Sequence, residues 1–158
     1  MEVAMSVTTI FLAGIIQGSL TNGVHPQDYR VKIAELLKAH LPDVEIYDPF
    51  QEHPQSLSYD ENRSRQVFFE LMARAGKVDV LLAFVPEASM GTAIELWNAY
   101  HARALVVCIS PLRDNWVVRF LSDILLPDLP AFHDFVVSGG MRKIMQERRV
   151  GCNLRSIL

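Results

Sequence analysis

The sequence predicts a single-domain α/β protein, a three-layer sandwich around a five-stranded parallel sheet of the flavodoxin or Rossmann-like type. Short apolar runs rich in β-branched residues alternate with longer segments of helical spacing. Strands without polar alternation are buried on both faces, which is typical of parallel sheets built from right-handed βαβ units. The chain has 158 residues, the usual length of one domain. We therefore expect one domain over residues 1–158, with a tail at 151–158.

The strands are predicted from continuous apolar runs. The first, TTIFLA, leads into a glycine-bearing loop at residues 14–23, and the third is DVLLAFV. The last of these runs predicts its strand less strongly than the other four do. The five predicted strands cover residues 8–13, 44–47, 79–85, 105–109 and 132–137.

The helices are predicted from apolar spacing and from their end signals. Pro26 begins the first helix, and its apolar positions follow a helical period until Pro42 ends it. Gly76 is the predicted C-cap of the helix that carries the apolar positions between 67 and 75. The other predicted helices cover residues 91–103, 115–125 and 140–149.

The composition excludes several classes of function. Half of the residues are apolar, which excludes a disordered chain, and 15 basic against 18 acidic residues give a net charge of −3. General binding to nucleic acid or to an anionic membrane needs clustered basic residues, so neither is expected. Cys108 and Cys152 are far apart and form no metal-ligand set. We expect a cytoplasmic protein without a metal or cofactor.

The predicted fold indicates where a ligand would bind. In an open parallel sheet, ligands bind beyond the carboxyl ends of the strands. The candidate loops are those at residues 14–23, 48–58, 86–91 and 110–115.

The segment at 79–100 carries the most chemical information. A buried strand ends, a short loop follows, and Gly91 and Thr92 open a helix that Ser89 could cap. The backbone N–H groups at such a helix start can bind phosphate. Glu95 lies one turn after Thr92 among small neighbours, so it could attack an electrophilic sugar carbon beside that anion. From spacing alone, Ser89 as a plain cap and Glu95 as a solvated residue remain open.

These residues resemble the nucleoside 2-deoxyribosyltransferase family, which includes the 2′-deoxynucleoside 5′-monophosphate N-glycosidases. The resemblance spans roughly residues 8–140. It rests on PEASMGTAIEL at 86–96, IFLAGII at 10–16, Asp48-Pro49-Phe50 after the second strand and Asp79 at the start of the third.

The resemblance implies a double displacement. Glu95 would attack the anomeric carbon to form a covalent deoxyribosyl intermediate, which water or a second base then resolves. Glu70 is the nearest match to the acidic residue that the family places on the preceding helix to orient the nucleophile. The resemblance places the substrate against Phe11, Gly14, Ile16, Gln17, Gly18, Asp48, Pro49, Phe50, Asp79, Ser89, Gly91 and Asn115.

Two of these positions indicate the substrate. Ser89 stands six residues before Glu95, where the monophosphate hydrolases have serine and transferases acting on free nucleosides tend to have aspartate. A carboxylate there would repel phosphate, so serine favours a nucleotide. Asn115 matches a position that a neighbouring subunit supplies to the 5′ end of the ligand. The resemblance thus implies a homo-oligomer with a shared active site, and the apolar surplus in Trp97, Tyr100, Trp116, Phe120 and residues 121–129 predicts a subunit interface.

Three positions depart from the family pattern. Phe11 replaces a tyrosine, Trp97 replaces a small residue, and Gln17 replaces an arginine common in the members that use phosphate. These departures leave several alternatives open. They are a transferase that exchanges bases between deoxynucleosides, a catalytically inactive nucleotide-binding module, and, from the likeness of residues 91–95 to a GTxxE motif, a phosphoribohydrolase of the lysine-decarboxylase-like fold.

Overall fold

A computed structural model describes residues 7–41 and 43–149, and in this part of the chain five strands alternate with helices. Cys152 and the predicted tail at 151–158 lie outside the described residues, as does Pro42. The strands are β1 (Thr8–Gly14), β2 (Val44–Tyr47), β3 (Val80–Phe84), β4 (Leu105–Ile109) and β5 (Ile124–Leu126). The helices are α1 (Asp28–His40), α2 (Pro49–Glu52), α3 (Glu61–Ala75), α4 (Met90–His101), α5 (Trp116–Leu121), α6 (Leu129–Val137) and α7 (Gly140–Arg149).

The sheet is parallel throughout, in the order β2-β1-β3-β4-β5. This is the flavodoxin-like order, and it confirms the predicted α/β architecture. The order reverses between β1 and β3, which are paired from Ile10 opposite Val80 to Gly14 opposite Phe84. The crevice beyond the carboxyl ends of these two strands is the position where such sheets bind ligands.

Two apolar layers cover the sheet, one on each face. Helices α1, α6 and α7 bury Ile33, Phe132 and Ile144 against one face. Helices α3, α4 and α5 bury Ala75, Leu96 and Val118 against the other. The strands are therefore buried on both sides, which explains their continuous apolar sequences.

The predicted C-terminal part needs one correction. The prediction of a strand at 132–137 is wrong, because these residues belong to α6. Asp128 caps α6 by accepting a hydrogen bond from the Ala131 N–H at 2.8 Å, and Phe132 and Val136 lie one helical turn apart on its buried side.

The fifth strand is instead β5, inside the segment predicted as a helix at 115–125. Helix α5 ends at Leu121, and Ser122 has an extended backbone. The Asp123 carboxylate then accepts a hydrogen bond from the Val106 N–H at 2.8 Å, while the Asp123 N–H donates to the Val106 carbonyl at 2.9 Å. These two bonds fix the start of β5 beside β4.

Other predicted boundaries agree with the structure. Gly76 is the C-cap of α3, and α4 begins at Met90 with Ser89 as its N-cap. The loop at 48–58 additionally contains the short helix α2, whose N-cap is Asp48. Within the described ranges, no helix combines the length and apolarity that a membrane span requires.

Candidate active site

Glu95 is the buried carboxylate of the crevice between β1 and β3. Its side chain lies on the second turn of α4 and is 8% exposed. It opens on a cavity of about 240 Å³. The cavity is lined by the loop after β1 and the start of α4, through Gly14, Ile16, Gln17, Gly18, Ser89, Met90, Gly91, Thr92 and Glu95.

The start of α4 supplies the polar wall of this cavity. The Ser89 hydroxyl oxygen accepts a hydrogen bond from the Thr92 N–H at 3.4 Å and another from the Thr92 hydroxyl at 3.0 Å. Gly91 has no atom near the position of a Cβ, so the helix start is open at this residue. Unpaired N–H groups at the start of a helix attract anions, and Glu95 lies one turn further along the same helix.

The loop after β1 forms the opposite wall, and its glycines are required for close approach. A Cβ on Gly14 would lie 2.5 Å from the Tyr29 hydroxyl. Gly18 has a φ of +55°, and a Cβ there would lie 2.8 Å from His25 Nε2. The His25 N–H donates to the Ile16 carbonyl at 2.7 Å, which closes the loop. A side chain at Gly14 or Gly18 would therefore displace this wall.

Burial controls the ionisation of Glu95. Desolvation raises the pKa of this carboxyl from 4.5 to about 8, and the positive charge of Arg30 opposes the rise. The Tyr29 hydroxyl lies close to Gly14. Burial raises the pKa of this phenol to about 12, and the charges of Asp48 and Glu95 add to that effect while Arg30 opposes it. Glu95 is thus protonated in most molecules at pH 7, and the fraction in the carboxylate form increases as the pH approaches 8.

The structure brings most of the predicted loop residues together. Gly14, Ile16, Gln17, Gly18 and the α4 residues Ser89, Gly91 and Glu95 all line the Glu95 cavity. Asn115 lines an adjoining cavity of about 320 Å³ that shares Ser89 and Met90 with the first. Its amide oxygen caps α5, accepting from the Val117 N–H at 3.0 Å and the Val118 N–H at 3.3 Å.

Glu70 is not brought to the Glu95 cavity. It is exposed on α3, where its carboxylate accepts a hydrogen bond from the Gln66 amide at 2.8 Å. It lines a separate cavity of about 450 Å³ beside β2 together with Tyr47 and Arg74. The guanidinium of Arg74 stacks on Tyr47, with its carbon 4.0 Å from the ring centroid.

Asp79 lies at the opposite end of the sheet. Because it precedes β3, its carboxylate is at the amino edge, where it accepts from the Thr9 N–H at 2.8 Å and the Thr9 hydroxyl at 2.9 Å. It ties the start of β1 to the start of β3. Asp79 therefore lies away from the carboxyl edge of the sheet, where the crevice between β1 and β3 is found.

Phe11, Asp48 and Pro49, which are also predicted at the site, have contacts of their own within the fold. Phe11 is fully buried and packs on Tyr47, with ring centroids 5.5 Å apart. Asp48 accepts hydrogen bonds from Arg30 at 2.8 Å and from the Phe50 N–H at 3.0 Å. Pro49 is buried in the first turn of α2. None of these residues is among the described lining of the Glu95 cavity.

Sequence reasoning missed Tyr29 as a polar group of the site, and it missed Arg30 entirely. Both precede Ile33 and Leu37 on the buried side of α1. An arginine at a helical position three residues before one core residue and seven before another was the available signal. Such a charge must be paired when it is buried.

Comparison with known proteins supports the fold through solved structures. Comparison with protein-family models and with curated proteins gives no match. A structure of 2-deoxyribosyltransferase from the psychrotolerant bacterium Bacillus psychrosaccharolyticus is similar over 80% of this chain and 91% of that chain, at a TM-score of 0.59 and 18% identity. A conserved protein from Enterococcus faecalis V583 is similar over 90% of this chain and 99% of that chain, at a TM-score of 0.51 and 18% identity.

These two likenesses define the class of fold. The chain has the α/β fold of a 2-deoxyribosyltransferase, covering nearly the full length of both structures. This confirms, at the level of the fold, the resemblance to the nucleoside 2-deoxyribosyltransferase family. Fold does not determine the reaction, which depends on the residues of the site.

Proposed function

We propose that this protein cleaves the N-glycosidic bond of 2′-deoxynucleoside 5′-monophosphates and releases the free base, with Glu95 as the nucleophile. One observation carries the proposal. A desolvated carboxylate opens on the same cavity as the start of α4, at the point where the strand order reverses. A sugar carbon and a phosphate group of one nucleotide fit these two features together.

The reaction has two balanced steps. In the first, a Glu95 carboxylate oxygen attacks the anomeric carbon, and the glycosidic bond breaks with its electron pair passing to the base, which takes up a proton. In the second, water adds to the anomeric carbon, the bond to Glu95 breaks, and the carboxylate is restored while the water loses a proton. Desolvation favours the first step, because a carboxylate without a water shell is a stronger nucleophile.

The phosphate end of the nucleotide is assigned to the start of α4. Ser89 lines both the Glu95 cavity and the adjoining cavity, and its hydroxyl is a neutral group that can donate to a phosphate oxygen. The N–H groups and the dipole of a 12-residue helix favour an anion at the same point. Gln17 on the opposite wall adds an amide donor.

The proposal extends to a homo-oligomer in which Asn115 of one subunit completes the site of another. Large apolar side chains on α4 and α5 are exposed, with Trp97 at 55%, Trp116 at 76% and Phe120 at 57%. Trp116 and Phe120 contact one another with ring centroids 6.2 Å apart. Such a patch beside the adjoining cavity is typical of a subunit interface.

The proposed reaction is tested by measuring free base with chromatography after incubation with each deoxynucleotide, deoxynucleoside and ribonucleotide. Release from the deoxynucleoside monophosphates, absent in Glu95→Ala, supports the proposal. Base exchange in the presence of a second base, without net hydrolysis, would replace it with the transferase. Cleavage of ribonucleotides alone would replace it with a phosphoribohydrolase. Calorimetric binding of deoxynucleotides without any turnover would indicate an inactive binding module.

A further inference from the structure

Arg30 is a charged residue inside the core, 2% exposed on the sheet-facing side of α1. Its guanidinium uses four hydrogen bonds. Nη1 donates to the Leu12 carbonyl at 2.9 Å and to Asp48 Oδ1 at 2.8 Å, and Nη2 donates to the Gly14 carbonyl at 3.1 Å. Nε donates to the Gln27 side-chain oxygen at 2.6 Å. One side chain thus connects α1 with the carboxyl ends of β1 and β2.

These bonds fix one wall of the Glu95 cavity. Gly14 is the last residue of β1 and lines that cavity. The next carbonyl, that of Ile15, accepts from the Gln27 amide at 3.0 Å and from the Tyr29 hydroxyl at 3.3 Å. Since Gln27 is itself held by Arg30, the end of β1 and the start of its loop are anchored to one guanidinium.

The same guanidinium acts on Glu95 through its charge. Glu95 and Arg30 are both almost completely desolvated, so the low polarity around them screens their attraction weakly. Arg30 opposes the desolvation that disfavours the anionic carboxylate. Asp48 competes with Glu95 for this charge, because its carboxylate pairs directly with Nη1.

The other elements packed against α4 supply no comparable group. Within the described residues, β1 and β3 carry no ionisable side chain, and β4 carries only Cys108, whose thiol pKa burial raises to about 12. On α3, Glu70 and Arg74 face Tyr47. On α5, Arg119 stacks on the exposed Phe120 ring.

Two other ionisable groups lie at the end of α4, Tyr100 and His101, whose rings contact each other with centroids 5.6 Å apart. His101, in the last turn of α4, is bonded to the Trp97 carbonyl at 3.0 Å. Tyr29, from α1, stays neutral because its pKa is raised to about 12. Among the described residues, the charge that acts on Glu95 is that of Arg30, and this guanidinium is itself paired with Asp48.

We infer that Arg30 is the positioning residue of Glu95. It holds the end of β1 against the cavity and supplies the positive charge that favours the Glu95 carboxylate, while Asp48 determines how much of that charge Glu95 experiences. This inference rests on the proposed function for its catalytic meaning. Its electrostatic content applies to the protein without any substrate.

The test follows the titration of Glu95 by the carbon-13 resonance of its side-chain carboxyl, assigned by its loss in Glu95→Gln. In Arg30→Met we expect the midpoint to rise by about one pH unit or more, because the favourable charge is lost. In Asp48→Asn we expect the midpoint to fall by a smaller amount, because Arg30 loses the carboxylate that neutralises part of its charge. A purely structural role for Arg30 does not produce shifts of opposite sign.

Two further variants complete the design. Arg30→Lys retains the positive charge but loses the planar set of N–H donors. The midpoint of Glu95 therefore stays close to wild type, while the attachment of the end of β1 to α1 weakens. Lys32→Met is the matched control on the same helix, since Lys32 pairs with Asp28 at 3.0 Å on the exposed side. The midpoint of Glu95 should not change in this control.

The inference is overturned if the midpoint moves in neither Arg30→Met nor Asp48→Asn, or in the same direction in both. If Arg30→Met does not fold, the Asp48→Asn shift decides alone: a fall supports the inference and no change overturns it. Opposite shifts in a protein that cleaves no nucleotide would leave the inference standing and remove the proposed function. Cleavage of nucleotides with unchanged midpoints in both variants would support the proposed function and overturn the inference about Arg30.

An activity measurement connects the titration of Glu95 with the proposed reaction. In Arg30→Met, kcat/KM at pH 7 should fall about tenfold for each unit by which the midpoint rises, and part of the loss should be recovered at higher pH. A loss that is equal at every pH would assign Arg30 to structure alone.

Discussion

Glu95 and Glu70 lie on neighbouring helices, yet the structure gives them opposite surroundings. Glu95 is buried at the carboxyl edge of the sheet, beside a cavity that the start of α4 and the loop after β1 enclose. Glu70 is exposed beside β2, bonded to Gln66 and close to the Arg74 and Tyr47 stack. Both belong to the pattern of acidic residues that the sequence offers for catalysis.

The difference shows that burial and position, rather than residue type, define a candidate nucleophile. A desolvated carboxylate with a raised pKa has lost the water that weakens nucleophiles, and its protonation can respond to a single nearby charge. The pair Glu95 and Glu70 is therefore an internal comparison that mutation can break.

The largest expected effect is the loss of base release in Glu95→Gln. Removing a covalent nucleophile should lower kcat by about a thousandfold or more, whereas Glu70→Gln should lower it by less than about fivefold. Both substitutions exchange a carboxylate for an amide of the same shape. Chromatographic measurement of the released base gives both values. Equal losses in the two variants would show that the cavity geometry has been misassigned.

The second effect is on the pH dependence of wild-type activity. Because the Glu95 pKa is raised to about 8, the nucleophilic form becomes more abundant as the pH rises toward that value. We expect kcat/KM to increase about tenfold per pH unit below pH 8 and then to level off. Initial rates between pH 5 and 10 measure this. A plateau already present at pH 5 would mean that an ordinary, solvated carboxylate performs the reaction.

The third effect concerns Ser89 at the start of α4, where we propose that the phosphate group binds. In Ser89→Asp, a negative charge at the start of α4 should reduce kcat/KM for a deoxynucleoside monophosphate by about tenfold relative to the matching deoxynucleoside. Ser89→Ala is the control, since it removes the hydroxyl without adding charge. If the aspartate lowers the rate on both substrates equally, the phosphate does not bind beside Ser89.

The last effect is on stability. Since the folded protein raises the Glu95 pKa from 4.5 to about 8, it binds this proton more tightly than the unfolded chain does, and Glu95 lowers the free energy of unfolding as the pH rises through that interval. Glu95→Gln removes this penalty, so its stability relative to wild type should increase by up to about 4 kcal/mol between pH 5 and pH 8.5. Urea denaturation measures the difference.

Glu70→Gln is the matched control for stability as well. Its carboxyl is exposed, so the substitution should change the free energy of unfolding by no more than a few tenths of a kcal/mol. A similar pH-dependent gain in both variants would mean that burial does not distinguish the two glutamates.

The sequence predicts the fold well where periodicity and burial coincide. Continuous apolar runs identify β1 to β4 because both faces of each strand are covered. The fifth strand was misplaced because its three residues are too short for a periodic signal, and the apolar residues of α6 imitate a strand. The capping aspartate at 128 and Pro130 were the signals that favoured a helix.

The residues of the candidate site were also predictable only in part. Glu95, Ser89 and the glycine loop could be predicted because they follow strands at the carboxyl edge. Arg30 could not be assigned a role from the sequence, since its partners are the Leu12 and Gly14 carbonyls and a carboxylate from another strand. These contacts exist only after β1, β2 and α1 have come together.

The most direct test of the account is to trap the covalent intermediate. A 2′-fluoro-arabinosyl nucleotide slows both displacement steps, because fluorine destabilises positive charge at the anomeric carbon. After incubation and proteolysis, mass spectrometry should locate one sugar-phosphate adduct on Glu95, and Glu95→Gln should carry none. An adduct on Glu70, or turnover of the natural nucleotide by Glu95→Gln at the wild-type rate, would contradict the assignment of Glu95 as the nucleophile.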